Sequence, residues 1–264
     1  MQSITLRKQN SSDQAVFYGH YASCSHSFGV VLSWFLMVGT NEGIEKRFEN
    51  VRHSTTFRRV LDTYGLASKK MLDLGCSFGE YLVCFGPGSL GVTTTVDEVV
   101  YGKTKGLNII QGNVELIDEL GIADTYRGIW ANNLFEHLLS PHAFLIRLKK
   151  VAGEGDLLIL GVDVLPRIVS LTNIKKFRGA LATPHVGYYT RETLRLTVAA
   201  AGWSIVTLRP FYFSNAFLDW CASWLAPHLF VVAKNDTAFR YPPKKRREWI
   251  DDPLYKHMFE VTEG

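Results

Sequence analysis

The sequence predicts an α/β fold, in which a doubly wound, mainly parallel sheet of seven strands follows an N-terminal helical lid. Between Lys69 and Lys234, short apolar runs alternate with stretches of helical periodicity. Most of the first five runs are continuously apolar, as in parallel strands that are covered on both faces. The 264 residues are 47% apolar and 20% charged, a composition that is typical of a folded globular chain.

Each strand is predicted from an apolar run that turn residues bound. The seven predicted strands span residues 70–74, 89–93, 107–111, 128–132, 156–162, 204–211 and 229–233. Two intervening helices have clear start signals. Ser140 is expected to cap a helix that begins at Pro141, and Thr190 one that ends at Gly202. Together they indicate five β-α units and a terminal pair of strands.

The chain divides into three regions that differ in composition and in hydrophobic pattern. Residues 1–66 form the predicted helical lid, residues 67–235 the sheet domain with an aromatic insert at 212–227, and residues 236–264 a polar tail that leaves the core. The apolar run 28–39 holds 12 residues, fewer than the ~20 that a membrane span needs. This run and the insert are expected either to pack in the core or to form an apolar pocket or a surface that meets lipid.

The net charge and the positions of the cysteines limit the classes of function that the sequence predicts. The net charge is only +4, and a basic run at 244–247 is expected to be a solvated tail or to touch phosphate or an anionic membrane. Basic and aromatic residues are not interleaved in a repeated pattern, so no nucleic-acid partner is predicted. Four scattered cysteines and a polar segment after Arg7 and Lys8 predict a cytoplasmic protein without disulfides.

A glycine-containing turn follows the first predicted strand directly, in the order Asp73-Leu74-Gly75-Cys76-Ser77-Phe78-Gly79. In a doubly wound fold, this turn lies at the carboxyl edge of the sheet, where ligands bind, and the helix after it offers free N–H groups. Dinucleotide sites require the spacing G-x-G-x-x-G, whereas the spacing here is G-x-x-x-G. A carboxylate two residues before the first glycine would repel a pyrophosphate, so a cationic or zwitterionic ligand is predicted.

The segment MLDLGCSFGEYL resembles motif I of the class I S-adenosylmethionine-dependent methyltransferases. Three later segments resemble the methyltransferase type 11 or ubiquinone-biosynthesis O-methyltransferase-like subgroup in order and spacing: NIIQGNVE, WANNLFEHLLSP and GYYTRETLRLTVAAAGWSI. The resemblance spans about residues 69–234. It implies a Rossmann-like fold, S-adenosylmethionine as cofactor, and O-methylation of a small-molecule, glycan or lipid-linked acceptor. The alternatives are methylation at carbon or nitrogen, or an inactive cofactor-binding or regulatory module.

The resemblance also implies the cofactor-binding residues. Asp73 would hold the methionine amino group, and the loop after it would line the methionine and ribose through Gly75, Cys76, Ser77 and Gly79. Later strands would supply Thr93 or Thr94 to the ribose, Asn113 and Val114 to the adenine, and Ala131 and Asn132 beneath the sulfonium. The usual ribose-binding acid at the end of the second strand is absent. The nearest acids, Asp97 and Glu98, lie a helical turn later.

Two histidines are the predicted catalytic residues. His137 follows the fourth strand, where the transferable methyl group would point, and an imidazole titrates near neutral pH. His185 precedes the late helix on the side where the subgroup receives its acceptor. The pair Glu136-His137 has two other readings, a structural pair or part of a metal site. In some members that resemble this subgroup, an acid three residues before the pair's Glu completes a metal site. Here that position is Asn133, a poorer ligand, so no metal is predicted.

Overall fold

The computed structural model describes residues 41–123, 125–168, 173–182 and 184–249, and only the backbone of 175–177. The apolar run 28–39 lies outside these ranges. The chain divides into two compact units, residues 1–47 and 48–264. The sheet and all the candidate site residues belong to the second unit.

Seven strands form one sheet in the order β3-β2-β1-β4-β5-β8-β7. The strands are β1 (Met71–Leu74), β2 (Leu90–Thr93), β3 (Ile109–Gln111), β4 (Gly128–Asn132), β5 (Leu157–Leu165), β7 (Trp203–Arg209) and β8 (His228–Asn235). Strands β1 to β5 are parallel, and β8 is antiparallel to both β5 and β7. The predicted fold class is therefore confirmed. The sequence missed only a two-residue strand, β6 (Tyr189–Thr190), which pairs with the end of β5.

Seven α-helices accompany the sheet within the described ranges. They are α1 (Asn41–His53), α2 (Thr55–Tyr64), α3 (Val96–Thr104), α4 (Pro141–Leu148), α5 (Arg191–Ala200), α6 (Ala216–Ala222) and α7 (Pro243–Trp249). Helix α5 starts and stops as predicted, because Thr190 and Thr193 form a capping box and Gly202 adopts a φ of 75°. Helix α4 starts at Pro141, but the Ser140 side chain makes no capping hydrogen bond. Instead, the Ser140 N–H donates to the Glu115 carboxylate at 2.8 Å.

The predicted succession of five β-α units is wrong at two connections. After β1 and after β3 the chain forms only 3₁₀ helices, Leu82–Cys84 and Val114–Glu119. The first connection is short because Gly86-Pro87-Gly88 turns the chain back towards β2, and the Gly86 N–H donates to the Lys69 carbonyl at 2.7 Å. A side chain at Gly86 would overlap the Ser68 carbonyl, so only glycine fits there.

The predicted lid, residues 1–66, is helical over most of the part that the structure describes. Phe57, Val60 and Leu61 of α2 are buried in a core cluster that includes Trp130 of β4 and Phe230 of β8. Helix α2 therefore packs on the sheet, and covering of the cofactor by this region stays a prediction. Its apolar face supplies the burial that stabilises this arrangement.

The predicted departure of residues 236–264 from the core is also wrong for the part that is described. Tyr241 is buried in the main core cluster, and its hydroxyl lies 2.8 Å from His142 Nε2 on α4. Lys149 Nζ donates to the carbonyls of Gly202 and Asp236, both at 2.7 Å, and so fixes the end of β8. The basic run at 244–247 is exposed on α7. No helix in the described ranges is long and apolar enough to cross a membrane.

Candidate cofactor and acceptor site

The loops that follow β1 and β4 meet at the carboxyl edge of the sheet. These two strands are neighbours and parallel, so their carboxyl ends lie side by side. Asn132 Nδ2 donates to the Tyr81 hydroxyl at 3.1 Å. A Cβ added at Gly75 would lie 3.1 Å from Leu134 Cδ1. The two groups of predicted site residues are therefore in one place.

The glycine loop has the left-handed backbone that such a turn requires. Gly75, Ser77 and Gly79 have φ angles of 70°, 50° and 94°. A side chain at Gly79 would lie 2.5 Å from Leu107 Cδ1, so this glycine is needed for space as well as for conformation. Ser77 replaces the middle glycine yet keeps its conformation, at a cost of about 1–2 kcal/mol. A hydrogen bond of 2.8 Å from the Ser77 hydroxyl to Glu98 offsets part of this cost.

The environment of Asp73 is suited to binding a cation. Its side chain is 2% exposed, and its Oδ2 atom has no hydrogen-bond partner in the described part of the chain. Burial raises the pKa of Asp73 well above its usual range, and the neighbouring carboxyl of Glu80 raises it further. An ammonium group would satisfy the oxygen and remove the penalty. The position thus fits the amino group of S-adenosylmethionine.

Glu98 occupies the place of the missing second-strand acid. It lies in the first turn of α3, and its carboxylate accepts hydrogen bonds from the hydroxyls of Ser77 and Thr93. The side chain is 8% exposed, whereas Asp97 is exposed and makes no such contact. Thr93 is thus the partner that positions the acid, and Thr94 is exposed. The sequence signal was the absence of an acid at the end of β2, together with an acid one turn into the next helix.

Three predicted cofactor residues direct their side chains into the core. Cys76, Val114 and Ala131 are buried and pack in the apolar core clusters, so their backbone atoms are the ones that we expect to line a ligand. Burial raises the pKa of the Cys76 thiol, which stays protonated. Asn113 is exposed, and its side chain accepts a hydrogen bond from Glu115 N at 3.0 Å as the cap of a 3₁₀ helix. Its side chain is therefore engaged in the turn.

The structure brings His137 and His185 together, although they are far apart in the sequence. Their ring centroids are 4.8 Å apart in an edge-to-face arrangement. The Nδ1 atom of His137 lies 3.2 Å from the Pro184 carbonyl. Since a carbonyl only accepts, Nδ1 carries the proton in this bond, and Nε2 keeps a lone pair. Burial lowers the pKa of His137 below its usual value of 6.5.

Glu136 lies beneath the two imidazoles and joins the segments that carry them. Its backbone carbonyl accepts hydrogen bonds from Val186 N and Gly187 N at 2.9 and 2.8 Å. The side chain is fully buried, and its Oε2 has no hydrogen-bond partner among the residues described. Burial raises the pKa of Glu136 to about 8, and Asp163 contributes. Glu136, His137 and His185 each offer a possible metal-ligand atom, all within 4.8 Å of one another.

A mainly parallel sheet with this strand order, a buried carboxylate before a left-handed glycine loop, and a hydroxyl-held acid after β2 define a class I S-adenosylmethionine-binding protein. A family model described as a methyltransferase domain matches residues 44–208, more than half of the chain. The chain belongs to this methyltransferase family, and S-adenosylmethionine is its cofactor. No curated protein is significantly similar to it in sequence.

Solved structures confirm the fold. An S-adenosylmethionine-dependent methyltransferase from Archaeoglobus fulgidus matches with a TM-score of 0.54 and 17% identity, and the match covers 74% of this chain and all of that one. A methyltransferase from Mesorhizobium loti has a TM-score of 0.51 and 12% identity, covering 70% and 100%. One from Clostridium acetobutylicum has a TM-score of 0.51 and 10% identity, covering 74% and 98%. At these identities the likeness concerns the fold alone.

Proposed function

We propose that this chain is an O-methyltransferase that methylates a hydroxyl group of a small-molecule, glycan or lipid-linked acceptor, with His137 as the general base. One observation carries the proposal. A half-buried imidazole, oriented by the Pro184 carbonyl and flanked by His185, lies at the same sheet edge as the loop that holds Asp73.

The residues of the first two loops bind and orient the cofactor. Asp73 pairs with the amino group, and Glu98 accepts hydrogen bonds from the ribose hydroxyls. Because the Glu98 carboxylate is already held by Ser77 and Thr93, little orientation is lost on binding. When bound, S-adenosylmethionine supplies an electrophilic methyl group.

His137 takes the proton of the acceptor hydroxyl. An alcohol is a weak nucleophile until its proton leaves, and a positioned base contributes about 10²–10⁴ in rate. The Nε2 lone pair accepts that proton, and the Pro184 carbonyl stabilises the resulting imidazolium through Nδ1. His185 packs against the ring and so limits its rotation.

A divalent cation held by Glu136, His137 and His185 is the second candidate, favoured by the buried Glu136 Oε2 that lacks a partner within the described ranges. A bound cation would polarise the acceptor hydroxyl, replacing the base. The expectation that no metal binds stays a prediction. Calorimetry of the chelator-treated protein with Mn²⁺ separates the two mechanisms: micromolar binding that Glu136→Gln abolishes supports the cation, and its absence supports the base.

The proposed function is tested by incubating the purified protein with methyl-labelled S-adenosylmethionine and fractionated cell extract. We expect a labelled methyl ether, found by mass spectrometry and NMR. At a cofactor concentration below the parent's Kd, Asp73→Asn should form about tenfold less product because it binds the cofactor more weakly, and the exposed Asp97→Asn serves as the matched control. A product labelled at nitrogen or carbon contradicts O-methylation. Tight cofactor binding without any product supports the inactive module.

A further inference from the structure

The aromatic insert, residues 212–227 between β7 and β8, contains a helix with inverted polarity. In α6, Asp219 is fully buried, whereas Phe217 and Trp220 are 67% and 49% exposed. Just after the helix, Ser223 is 3% exposed and Trp224 is 39% exposed. A helix on a water-facing surface normally buries its apolar residues and exposes its polar ones. Here the large apolar side chains point away from the protein.

The inverted orientation is fixed by specific bonds. Asp219 accepts a hydrogen bond from Phe213 N at 2.9 Å and lies 3.6 Å from Arg209 Nη1. Asn215 caps the helix by accepting from Phe217 N at 2.9 Å. Rotating α6 to bury its aromatic residues would break these contacts and expose Asp219. The exposed face is therefore a stable feature of the fold.

Among the residues that the structure describes, exposed aromatic side chains are confined to this part of the molecule. All six exposed aromatic residues within the described ranges belong to the insert or to the segment 164–191 that follows β5: Tyr188, Tyr212, Phe213, Phe217, Trp220 and Trp224. The two segments are joined, since Arg167 N donates to the Trp224 carbonyl at 3.0 Å and the Arg167 guanidinium lies 4.1 Å from the Trp224 ring. They form one surface, which we call the aromatic edge.

The charge of the two segments is predominantly positive, and the nearest flanking acids are the half-buried Asp163 near Tyr212 and the exposed Glu192. The sequence from 164 to 191 contains Arg167, Lys175, Lys176, Arg178 and Arg191 but no acidic residue. The insert contains one acidic residue, Asp219, which is buried beside Arg209. An anionic partner would therefore meet no repulsion from an exposed carboxylate in these two segments.

We propose that the aromatic edge docks on the surface of a bilayer that contains anionic phospholipid. Trp, Tyr and Phe partition into the headgroup region, and basic side chains are attracted to anionic lipid. Since β7 is parallel to β5, the insert starts at the carboxyl edge that carries the glycine loop. Docking would turn the candidate site towards the membrane. The proposal goes beyond the proposed function and does not depend on methyl transfer.

Vesicle binding tests the proposal with neither cofactor nor acceptor present. The full chain is sedimented with phosphatidylcholine vesicles or with vesicles containing 30% phosphatidylglycerol. We expect binding at least about tenfold stronger to the anionic vesicles, decreasing with salt. The double variant Phe217→Ser/Trp220→Ser should lose about tenfold or more of it. Leu196→Ser, which alters a residue that is 55% exposed on α5, is the matched control and should bind as the parent does.

The contribution of the basic residues and the depth to which the tryptophans enter the bilayer are tested in separate experiments. Arg178→Glu should weaken the preference for anionic vesicles at least about fivefold, whereas Arg195→Glu, which alters an exposed residue of α5, should change it less. Brominated lipid should quench tryptophan fluorescence of the parent chain, and less so that of Trp220→Phe/Trp224→Phe. Absence of binding by the parent chain to anionic vesicles would overturn the proposal. So would a dimer that sedimentation velocity detects and Phe217→Ser/Trp220→Ser abolishes, because the surface would then meet a second copy.

Discussion

The two halves of the carboxyl edge are built in different ways. The cofactor half comes from one continuous stretch of chain, from Asp73 to Glu98, and its side chains are carboxylates and hydroxyls. The acceptor half joins the loop after β4 to residues 184–187, and its side chains are two imidazoles above a buried carboxyl. One half is thus organised locally and the other by tertiary packing.

Because of this difference, one half is selective for the cofactor and the other for the acceptor. The cofactor half positions negative charge for a ligand that carries an ammonium group and ribose hydroxyls. The acceptor half offers a partly enclosed pair of imidazoles, and burial lowers the pKa of one of them, His137, which suits proton transfer from an uncharged hydroxyl. Substitutions in the two halves should therefore have separable effects on cofactor binding and on turnover.

The largest expected effect is that of His137→Ala. Turnover should fall at least about a hundredfold, because the general base is lost, while the Kd for S-adenosylmethionine stays within about twofold. Steady-state kinetics and calorimetry measure the two quantities. His142→Ala, at a histidine bonded to Tyr241, is the control for loss of an imidazole. Normal turnover by His137→Ala would break the assignment of the acceptor half.

Asp73→Asn should act on the other half. The affinity for S-adenosylmethionine should fall about tenfold or more, corresponding to about 1.4 kcal/mol, because a charge-assisted contact becomes a neutral one. Calorimetry checks this, with the exposed Asp97→Asn as the matched control. An unchanged Kd in a folded Asp73→Asn protein would contradict the role of the buried carboxylate.

Glu98→Gln should weaken cofactor binding by a smaller factor, about fivefold, because an amide still accepts one hydrogen bond from the ribose.

Thr93→Asp tests whether Glu98 is the acid that binds the ribose. If Thr93 itself replaced the ribose-binding acid, this change would preserve or tighten binding, but the structure places the new carboxylate against Glu98. We therefore expect weaker binding from repulsion between the two carboxylates, and a tighter Kd would show that Glu98 is not the ribose acid.

The pH dependence of turnover distinguishes a half-buried imidazole from a solvated one. Burial lowers the pKa of His137 below 6.5, so the neutral, basic form persists to lower pH than in a free imidazole. The rate should be constant at neutral pH and fall about tenfold per unit below that lowered pKa. A profile of kcat/KM against pH measures it. A midpoint above 6.5 would contradict the proposed environment.

The smallest expected effect concerns stability. Burial raises the pKa of Glu136 from 4.5 to about 8, so the native state holds this proton more tightly than the unfolded chain. Its contribution to stability is present below pH 4.5 and is lost as the pH rises through 8. Glu136→Gln should therefore raise the Tm at pH 9 by about 2–4 °C, or about 1 kcal/mol, and change it little at pH 4. Thermal unfolding at the two pH values tests this, and a lower Tm at both would contradict it.

The sequence predicted most of the sheet because parallel strands are continuous apolar runs. Both predicted bounds of β4, residues 128–132, are correct, and Thr190 and Gly202 predict where α5 begins and ends. The predicted helix after β1 is wrong, because the glycine-loop motif does not show that the chain turns back towards β2 as early as Gly86. Packing of Phe57 and Tyr241 into the core depends on contacts between distant segments, which periodicity does not encode.

Within the site, the sequence supplied both histidines but not their contact. Residues 137 and 185 meet because the Glu136 carbonyl bonds to the backbone of Val186 and Gly187, a pairing without a residue-specific signature. Glu98 was named as a nearby acid, but its role depends on the rotation of α3, which directs it at Thr93 and leaves Asp97 exposed. The composition indicates the aromatic insert, whereas its inverted orientation depends on Asp219.

The short connection between β1 and β2 affects which form of the cofactor is held more tightly. An α-helix after the glycine loop would aim the positive end of its dipole at the ligand, but Leu82–Cys84 is a single 3₁₀ turn. The loop is instead surrounded by the buried carboxyls of Asp73, Glu80 and Glu98. The methyl donor carries a positive sulfonium that its demethylated product lacks. When these carboxyls are ionised, the loop attracts the donor more strongly than the spent product, so the product is released more readily and inhibits less.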